Sequence, residues 1–282
     1  PRSAIAADCA DIIAPSAELP ARILAFIAQA PNTQEPDTAV EEVVQASSEL
    51  PALPVNPLQS IFSLLRQQTR HDFSVYKPST LHRRIERRMA IHGITTLALY
   101  AEFMQQNTQE IDLLFKELLI GVTSFFRDTA VWQQLADFTL PELLARQTTE
   151  RKLRAWVVGC STGEEAYSLA ILFIEVVQRL SLHHDYTLQI FATDLNPDAI
   201  ATARRGLYPT SISADVSAER LARFFSAHDK YYRINKNIRD MVLFAQHDVV
   251  LDPPFTKLNL LSCRNLMIYF DAALQRRLLP LF

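Results

Sequence analysis

Between Arg154 and Leu279, short apolar strands alternate with amphipathic helices, and this order restricts the fold more than any other feature of the chain. The segments "LRAWVVG", "YTLQIFATD" and "KLNLLSC" have the composition of buried strands, and a helical pattern follows each of them. Strands that alternate with helices form a parallel sheet with helices on its faces. We therefore predict an α/β domain built on such a sheet.

The region between the second and third strands is less regular. It contains one helical pattern and two short apolar segments, "KYYRI" and "DMVLFAQ". Neighbouring segments of this kind can pair as antiparallel strands. We therefore predict a small β-hairpin insertion near residues 206–245.

The first half of the chain has a different organisation. Residues 57–121 contain four segments with apolar residues at helical spacing, which predicts a small all-helical domain. Before it, Pro36, Pro51 and Pro54 interrupt an acidic stretch that lacks Lys and Arg. We interpret residues 31–56 as a linker and assign residues 122–282 to the α/β domain.

Composition sets limits on the class of protein. The chain has 282 residues, of which 49% are apolar and 21% charged, and its net charge of −3 does not favour nucleic-acid binding. No apolar run reaches membrane-spanning length and no signal peptide opens the sequence, so we expect a cytoplasmic location. The three cysteines lack metal-ligand spacing, which predicts a reducing compartment and no metal site.

Polar residues follow the predicted strands where ligands bind in α/β proteins. Gly159 and Gly163 form a strand-to-helix turn of the kind that approaches nucleotides, because helix N-terminal N–H groups point at the ligand. Glu164 and Glu165 come next, in place of the lysine that a phosphate needs. Asp194, at the end of the second strand, is placed to accept hydrogen bonds from both ribose hydroxyls.

These features predict a nucleoside ligand without phosphate, and S-adenosylmethionine has that shape. Its sulfonium and amino group are cationic, so acidic residues near the turn would stabilise it. Two simpler interpretations stay open: Glu164 and Glu165 favour the dipole of their own helix, and Asp194 caps the helix that begins at Pro197. Cys160, inside the turn, is interpreted as a small residue in a crowded loop rather than a nucleophile. The joint occurrence of the acidic residues at successive strand ends favours the nucleoside site.

Five motifs in order give the sequence a family resemblance: "YKPSTLHRRIERRM", "VTSFFRD", "GCSTGEEAYSLA", "ATDLNPDAI" and "DPPFTKLNLLSCRNLMIYF". Residues 58–279 resemble the chemotaxis-receptor methyltransferases (CheR). The resemblance implies a Rossmann-like S-adenosylmethionine-dependent methyltransferase domain preceded by a small helical domain. It also implies methyl transfer to glutamate side chains of chemoreceptors, whose cytoplasmic helices would be the partners.

The resemblance further implies roles for single residues. Thr123 and Arg127 would contact S-adenosylmethionine from the loop that joins the domains, with Arg127 reaching its carboxylate. Glu164 would contact the methionine amino group and Asp194 the ribose, beside Gly159. The remaining cofactor residues would be Asp248 and Val249 at the adenine, and Arg264 and Asn265 beside the reacting carbon. Gly121 and Asp248 depart from the family, in which Asn is common at both positions.

The two ends of the chain carry further expectations. Residues 1–30 resemble the tail of a CheB-type methylesterase, which indicates a piece of a fused esterase–methyltransferase and an esterase domain as a partner. The family's catalytic domain normally has two more strands after the helix at 271–279. Because this chain ends at Phe282, we expect either a C-terminal truncation or a sheet completed by a partner.

A run of arginines suggests the substrate-binding surface. Arg83, Arg84, Arg87 and Arg88 occupy positions i, i+1, i+4 and i+5 and so share one side of a helix. Such a run is often only a solvated face, but it could steer an acidic receptor helix to the site.

The chemistry requires no catalytic base, because a carboxylate is already a nucleophile; the protein must align it and exclude water. We accordingly interpret His71, His82, His92 and His247 as structural, and expect no catalytic residue in the strict sense. Two other functions stay open. The tetrapeptide "DPPF" at 252–255 resembles the amine-binding motif of nucleic-acid amino-methyltransferases, although it precedes its strand here. The second is a non-catalytic module that binds cofactor or receptor.

Overall fold

The computed structural model describes residues 56–146, 151–182 and 186–282. The predictions for the methylesterase-like segment 1–30 and for the linker as far as Val55 lie outside these residues. Among the described helices, none is long and apolar enough to span a membrane.

Residues 57–118 form a helical domain, as the apolar spacing predicts. Its helices are α1 (Pro57–Thr69), α2 (Pro78–Ile91), α3 (Leu97–Gln106) and α4 (Thr108–Leu118). Asn56 caps α1 by accepting a hydrogen bond from the Leu58 N–H, and Pro57 occupies the first turn, where its missing N–H costs nothing. The helices close around a core in which Ile61, Leu65 and Tyr100 are fully buried.

A loop leads from this domain to α5 (Thr129–Gln134), a π-helical turn (Leu135–Thr139) and α6 (Leu140–Arg146). The loop is fixed to the second domain by two aromatic side chains. Phe125 packs edge-on against Tyr208, and the Phe126 backbone N–H donates to the Ser168 hydroxyl at 3.0 Å. Both phenylalanines are buried, so the loop is part of the core of the α/β domain.

The strands of the α/β domain are β1 (Lys152–Val158), β2 (Thr187–Asp194), β3 (Leu207–Pro209), β4 (Phe225–Ala227), β5 (Tyr231–Ile234), β6 (Val242–Gln246) and β7 (Leu260–Ser262). Four of them form a parallel sheet in the order β6-β2-β1-β7. Their carboxyl ends therefore lie along one edge, which is where a ligand site forms in this class of sheet. The parallel sheet confirms the α/β prediction.

The helices of this domain are α7 (Glu164–Arg179), α8 (Pro197–Arg205), α9 (Ala218–Phe224), α10 (Lys236–Arg239) and α11 (Ala272–Leu278). Helix α7 is buried along most of its length, since Tyr167, Leu169 and Ile171 all lie in the core. Helix α8 begins at Pro197 and is capped by Asn196, whose side chain accepts from the Asp198 and Ala199 N–H groups. Asp194 is therefore not the cap of this helix.

The segment between α8 and β6 forms a second, antiparallel sheet in the order β3-β5-β4. The predicted pairing of "KYYRI" with "DMVLFAQ" is wrong. The first segment contains β5 and pairs with β3 and β4, whereas the second contains β6 and lies beside β2 in the parallel sheet. The reason is burial: Phe244 of β6 packs in the main core against Tyr167, a contact that a surface hairpin would not provide.

Candidate functional site

The turn after β1 has the strained geometry that its glycines suggested. Gly159, Ser161 and Gly163 have φ values of 68°, 48° and 96°, all in the left-handed region. At Gly163 an added Cβ would lie 2.9 Å from the Cβ of Ala203 and 3.0 Å from Cζ of Phe244, so no larger residue fits. The turn therefore packs the start of α7 closely against α8 and β6.

Asp194 ends β2 and holds this turn in place. One carboxylate oxygen, Oδ2, accepts from the Ser161 N–H at 2.8 Å, and Oδ1 accepts from the Asn196 N–H at 2.8 Å. Burial raises the pKa of Asp194, and these backbone hydrogen bonds oppose the shift only in part. Each oxygen keeps a second lone pair, so the carboxylate can still accept hydrogen bonds from a ligand.

Asp248 follows β6 and bonds to the helical domain. Its Oδ2 lies 2.5 Å from Nδ1 of His71, and its Oδ1 accepts from the Val250 N–H at 2.8 Å. Burial alone would raise the pKa of Asp248, but the hydrogen bond and charge of His71, together with hydrogen bonds from the Val250 and Leu251 backbone N–H groups, hold this pKa below its usual range. Asp248 is therefore ionised at neutral pH although it is buried.

A cleft of about 740 Å³, part of it open to solvent, lies between the helical domain and the carboxyl ends of the strands. Four of the predicted cofactor residues line it: Gly159, Asp194, Asp248 and Val249. The helical domain contributes the opposite wall, which includes His71, Tyr76 and the chain from Leu118 to Gly121.

A second polar cluster lies at the end of β7. Arg264 donates to the Arg127 backbone carbonyl at 2.7 Å and to the Asp128 carboxylate at 2.9 Å, and lies 3.3 Å from the Glu165 carboxylate. Ser262 donates to the other oxygen of Glu165 at 2.6 Å. This network fixes the interdomain loop to β7 and to the first turn of α7.

The remaining predicted residues lie beside the cleft rather than along its walls. The Glu164 carboxylate accepts from the Thr162 hydroxyl at 2.7 Å, and burial raises its pKa. The Arg127 guanidinium donates to the Val122 carbonyl at 2.9 Å, so it is bonded within its own loop. Thr123 and Asn265 are half-buried, and Asn265 has a φ of 55°. The structure thus groups Gly159, Asp194, Asp248 and Val249 but does not bring Thr123, Arg127, Glu164, Arg264 and Asn265 to the same cleft.

The arginine run divides into two pairs. Arg84 donates to the Glu117 backbone carbonyl at 2.9 Å, and Arg88 binds the buried Glu110 carboxylate through two nitrogens, at 2.9 and 2.6 Å. Both are turned towards α4, whereas Arg83 and Arg87 are exposed. The four arginines therefore do not form a single exposed face.

Three residues of the cleft were missed or undervalued by sequence reasoning. The Ser161 hydroxyl is buried and has no hydrogen-bond partner among the described residues. Tyr76 and His71 line the cleft from the helical domain, 3.0 Å apart at the Tyr76 hydroxyl and His71 Nε2. In the sequence, His71 and Tyr76 are marked only by their place in the segment "RHDFSVYK". Nothing in that segment indicates that His71 contacts Asp248, 177 positions away.

The described residues contain no cluster of His, Cys, Asp or Glu that could bind a metal ion. Cys160 is buried, and burial raises the pKa of its thiol, which suits a packing role in the turn.

Comparison with known sequences decides the family. Residues 121–282 match the CheR methyltransferase SAM-binding domain, and residues 56–119 match the CheR methyltransferase all-alpha domain. The chain belongs to the CheR methyltransferase family. It is a methyltransferase of the S-adenosylmethionine-dependent class, with the two-domain fold of that family.

Similar proteins include a chemotaxis protein methyltransferase of Listeria monocytogenes, 31% identical over 71% of this chain and 74% of that protein. Chemotaxis protein methyltransferase 2 of Pseudomonas aeruginosa is 30% identical over 72% of each chain. A 104.1 kDa protein of Rhodobacter capsulatus is 41% identical over 80% of this chain. The match covers 24% of that Rhodobacter protein, so the chain spans about a quarter of its length.

Proposed function

We propose that this chain transfers the methyl group of S-adenosylmethionine to glutamate carboxylates of bacterial chemoreceptors, forming methyl esters. The observation that supports this most directly is the order of polar groups along the sheet edge. A glycine turn follows β1, an acceptor carboxylate follows β2, and a second carboxylate follows the next strand, β6. This order suits an elongated nucleoside that carries no phosphate.

The residues that line the cleft fit the cofactor by their chemistry. Asp194 would bind the ribose hydroxyls, because a buried carboxylate can only accept hydrogen bonds and the hydroxyls can donate two. The base would extend towards Asp248 and Val249. Gly159 permits close approach of the backbone, since an added Cβ would already lie 3.2 Å from Cδ2 of Leu266.

The methionine half would then lie towards the glycine turn and the interdomain loop. Glu164 and Glu165 are both half-buried there, and partial burial raises the pKa of each, so a cationic group would stabilise their ionised forms. We assign Thr123 and Arg127 to this half, with Arg264 and Asn265 nearest the reacting carbon. Loop closure that frees the Arg127 guanidinium from Val122 would be required for its contact with the cofactor carboxylate.

The chain's own contribution to the reaction is alignment and exclusion of water. When bound, S-adenosylmethionine would supply the methyl group. A substrate carboxylate oxygen would bond to the methyl carbon as the carbon–sulfur bond breaks and S-adenosylhomocysteine leaves, so no base is needed. Arg264 is held in position by Glu165, Asp128 and the Arg127 carbonyl, so the wall beside the reacting carbon is rigid. The helical domain covers the cleft on the other side and limits access of water.

The receptor would approach along α2. Arg83 and Arg87 are exposed on it, and Arg87 lies 3.6 Å from Glu117. An exposed pair of this kind is weak, so Arg87 can exchange Glu117 for an acidic receptor helix at little cost. Arg84 and Arg88 would act indirectly, by fixing α2 against α4. We further propose a cytoplasmic location, with a fused or separate methylesterase domain as a partner.

The product tests the proposal. Methyl transferred from radiolabelled S-adenosylmethionine to receptor-containing membranes should become volatile as methanol after mild alkali, because esters hydrolyse and methylated amines do not. The same sample should be offered DNA. Alkali-stable label, or label on DNA, would replace the proposal with an amino-methyltransferase, whereas cofactor binding without any transfer would indicate a non-catalytic module.

A further inference from the structure

The closest polar contact between the helical domain and the cleft is the one between His71 and Asp248. Nδ1 of His71 lies 2.5 Å from Oδ2 of Asp248, and both residues are buried. A carboxylate oxygen at this distance can only accept, so Nδ1 carries the proton. The ring is held on its other sides by Tyr76, whose hydroxyl is 3.0 Å from Nε2, and by Phe73, whose ring lies edge-on at 4.8 Å.

The segment around His71 is attached to the α/β domain by backbone hydrogen bonds. The Lys77 N–H donates to the Tyr269 carbonyl at 2.9 Å, and the Asp271 N–H donates to the Val75 carbonyl at 3.1 Å. The rings of Tyr76 and Phe270 pack edge-on between these two bonds. His71 therefore approaches Asp248 from a fixed support, not from a mobile loop.

We propose that His71 is a positioning residue for cofactor recognition: it orients the Asp248 carboxylate towards the amino group of the adenine ring. This inference rests on the proposed S-adenosylmethionine site. With Oδ2 fixed by His71 and Oδ1 fixed by the Val250 N–H, the carboxylate cannot rotate. Each oxygen keeps a second lone pair that can accept from a ligand, and both residues line the cleft.

The arrangement makes a chemical distinction between bases. An ionised carboxylate accepts from the 6-amino group of adenine but repels the 6-oxo group of hypoxanthine, which is also an acceptor. One hydrogen bond to a charged group corresponds to roughly 10- to 150-fold in affinity. The chain should therefore bind S-adenosylhomocysteine more tightly than S-inosylhomocysteine by about that factor.

The test is calorimetric titration of both ligands into the 282-residue chain and its variants. His71→Gln places its amide near Nε2 and removes the donor to Asp248, so the preference for adenine should fall about tenfold or more. His71→Asn keeps a donor near Nδ1 and should retain most of the preference. His82→Gln is the matched control, since His82 is exposed on α2 and its ring lies 3.2 Å from the Glu86 carboxylate of the same helix.

A double-mutant cycle separates positioning from general loosening of the domain. In an Asp248→Ala background, His71→Gln should not reduce the preference further. An equal reduction in both backgrounds, or an unchanged preference in His71→Gln, would overturn the inference while leaving the proposed function intact. If His71→Gln fails to fold, the other two variants still test the inference. It would be overturned if Asp248→Ala kept the preference for adenine, or if His71→Asn lost that preference. Failure of the unaltered chain to bind S-adenosylhomocysteine would overturn both the inference and the proposed function.

Discussion

Asp194 offers the sharpest test of the cofactor site, because its carboxylate has a structural and a ligand-binding role that two substitutions can separate. It accepts from the Ser161 and Asn196 N–H groups, each at 2.8 Å, and would accept from both ribose hydroxyls. Asp194→Asn keeps one acceptor oxygen and removes the charge. Asp194→Ala removes every acceptor.

The expected losses follow from the number of hydrogen bonds. Each ribose hydrogen bond to the charged acceptor contributes about 1.5–3 kcal/mol, so Asp194→Ala should weaken S-adenosylhomocysteine binding by about 3–6 kcal/mol, or roughly 150- to 20,000-fold. Asp194→Asn should lose about half of that free energy. In the ligand-free protein, either substitution should change the free energy of unfolding by less than this. Burial already disfavours the Asp194 charge, so removing the charge offsets part of the loss of the backbone hydrogen bonds.

Isothermal titration calorimetry with S-adenosylhomocysteine measures the affinities, and chemical denaturation measures the free energy of unfolding. Asp229→Asn is the matched control and should bind as the unaltered chain does, because Asp229 is exposed in the turn between β4 and β5. Affinities that do not fall in the order unaltered, Asp194→Asn, Asp194→Ala would refute the assignment of Asp194 to the ribose.

Three further outcomes are expected. Lowering the pH towards the raised pKa of Asp194 should weaken S-adenosylhomocysteine binding, because the protonated carboxyl is a poorer acceptor. The same change should stabilise the ligand-free protein at this residue, since the native state then binds a proton that the unfolded chain does not. Calorimetry and denaturation at several pH values would contradict this if affinity and the free energy of unfolding changed in the same direction. Glu110→Ala should lower the free energy of unfolding by about 3 kcal/mol, because it leaves Arg88 half-buried without its carboxylate; a change below about 1 kcal/mol in urea denaturation would disprove that role. Arg83→Glu with Arg87→Glu should impair receptor methylation and leave S-adenosylhomocysteine affinity unchanged, and full receptor methylation at low salt would show that these arginines do not bind the receptor.

Local patterns were sufficient to predict the elements of the fold. The spacing of apolar residues predicted the positions of α1 and α2, and the alternation of strand and helix patterns after Arg154 predicted the parallel sheet. These features depend on residues a few positions apart, whose periodicity is visible in the sequence itself. The glycine turn and Asp194 could be predicted for the same reason, because strand ends in a parallel sheet meet at one edge.

Pairing between distant segments could not be predicted in this way. The place of β6 depended on how Phe244 packs against Tyr167, and the sequence alone could not distinguish a surface hairpin from a strand of the main sheet. Helical spacing predicted that Arg84 and Arg88 share one side of α2 with Arg83 and Arg87. In the structure Arg84 donates to the Glu117 carbonyl and Arg88 to the Glu110 carboxylate, so both point towards α4.

The cleft itself is a property of the tertiary structure. The sequence placed Asp194 after β2, which together with the glycine turn predicted a ligand without phosphate, whereas Asp248 was predicted only from the family resemblance. Only the folded chain brings His71 to Asp248 across 177 positions, because the two domains meet there and a buried carboxylate requires a hydrogen-bonding partner. Local periodicity contains no information on which partner that will be.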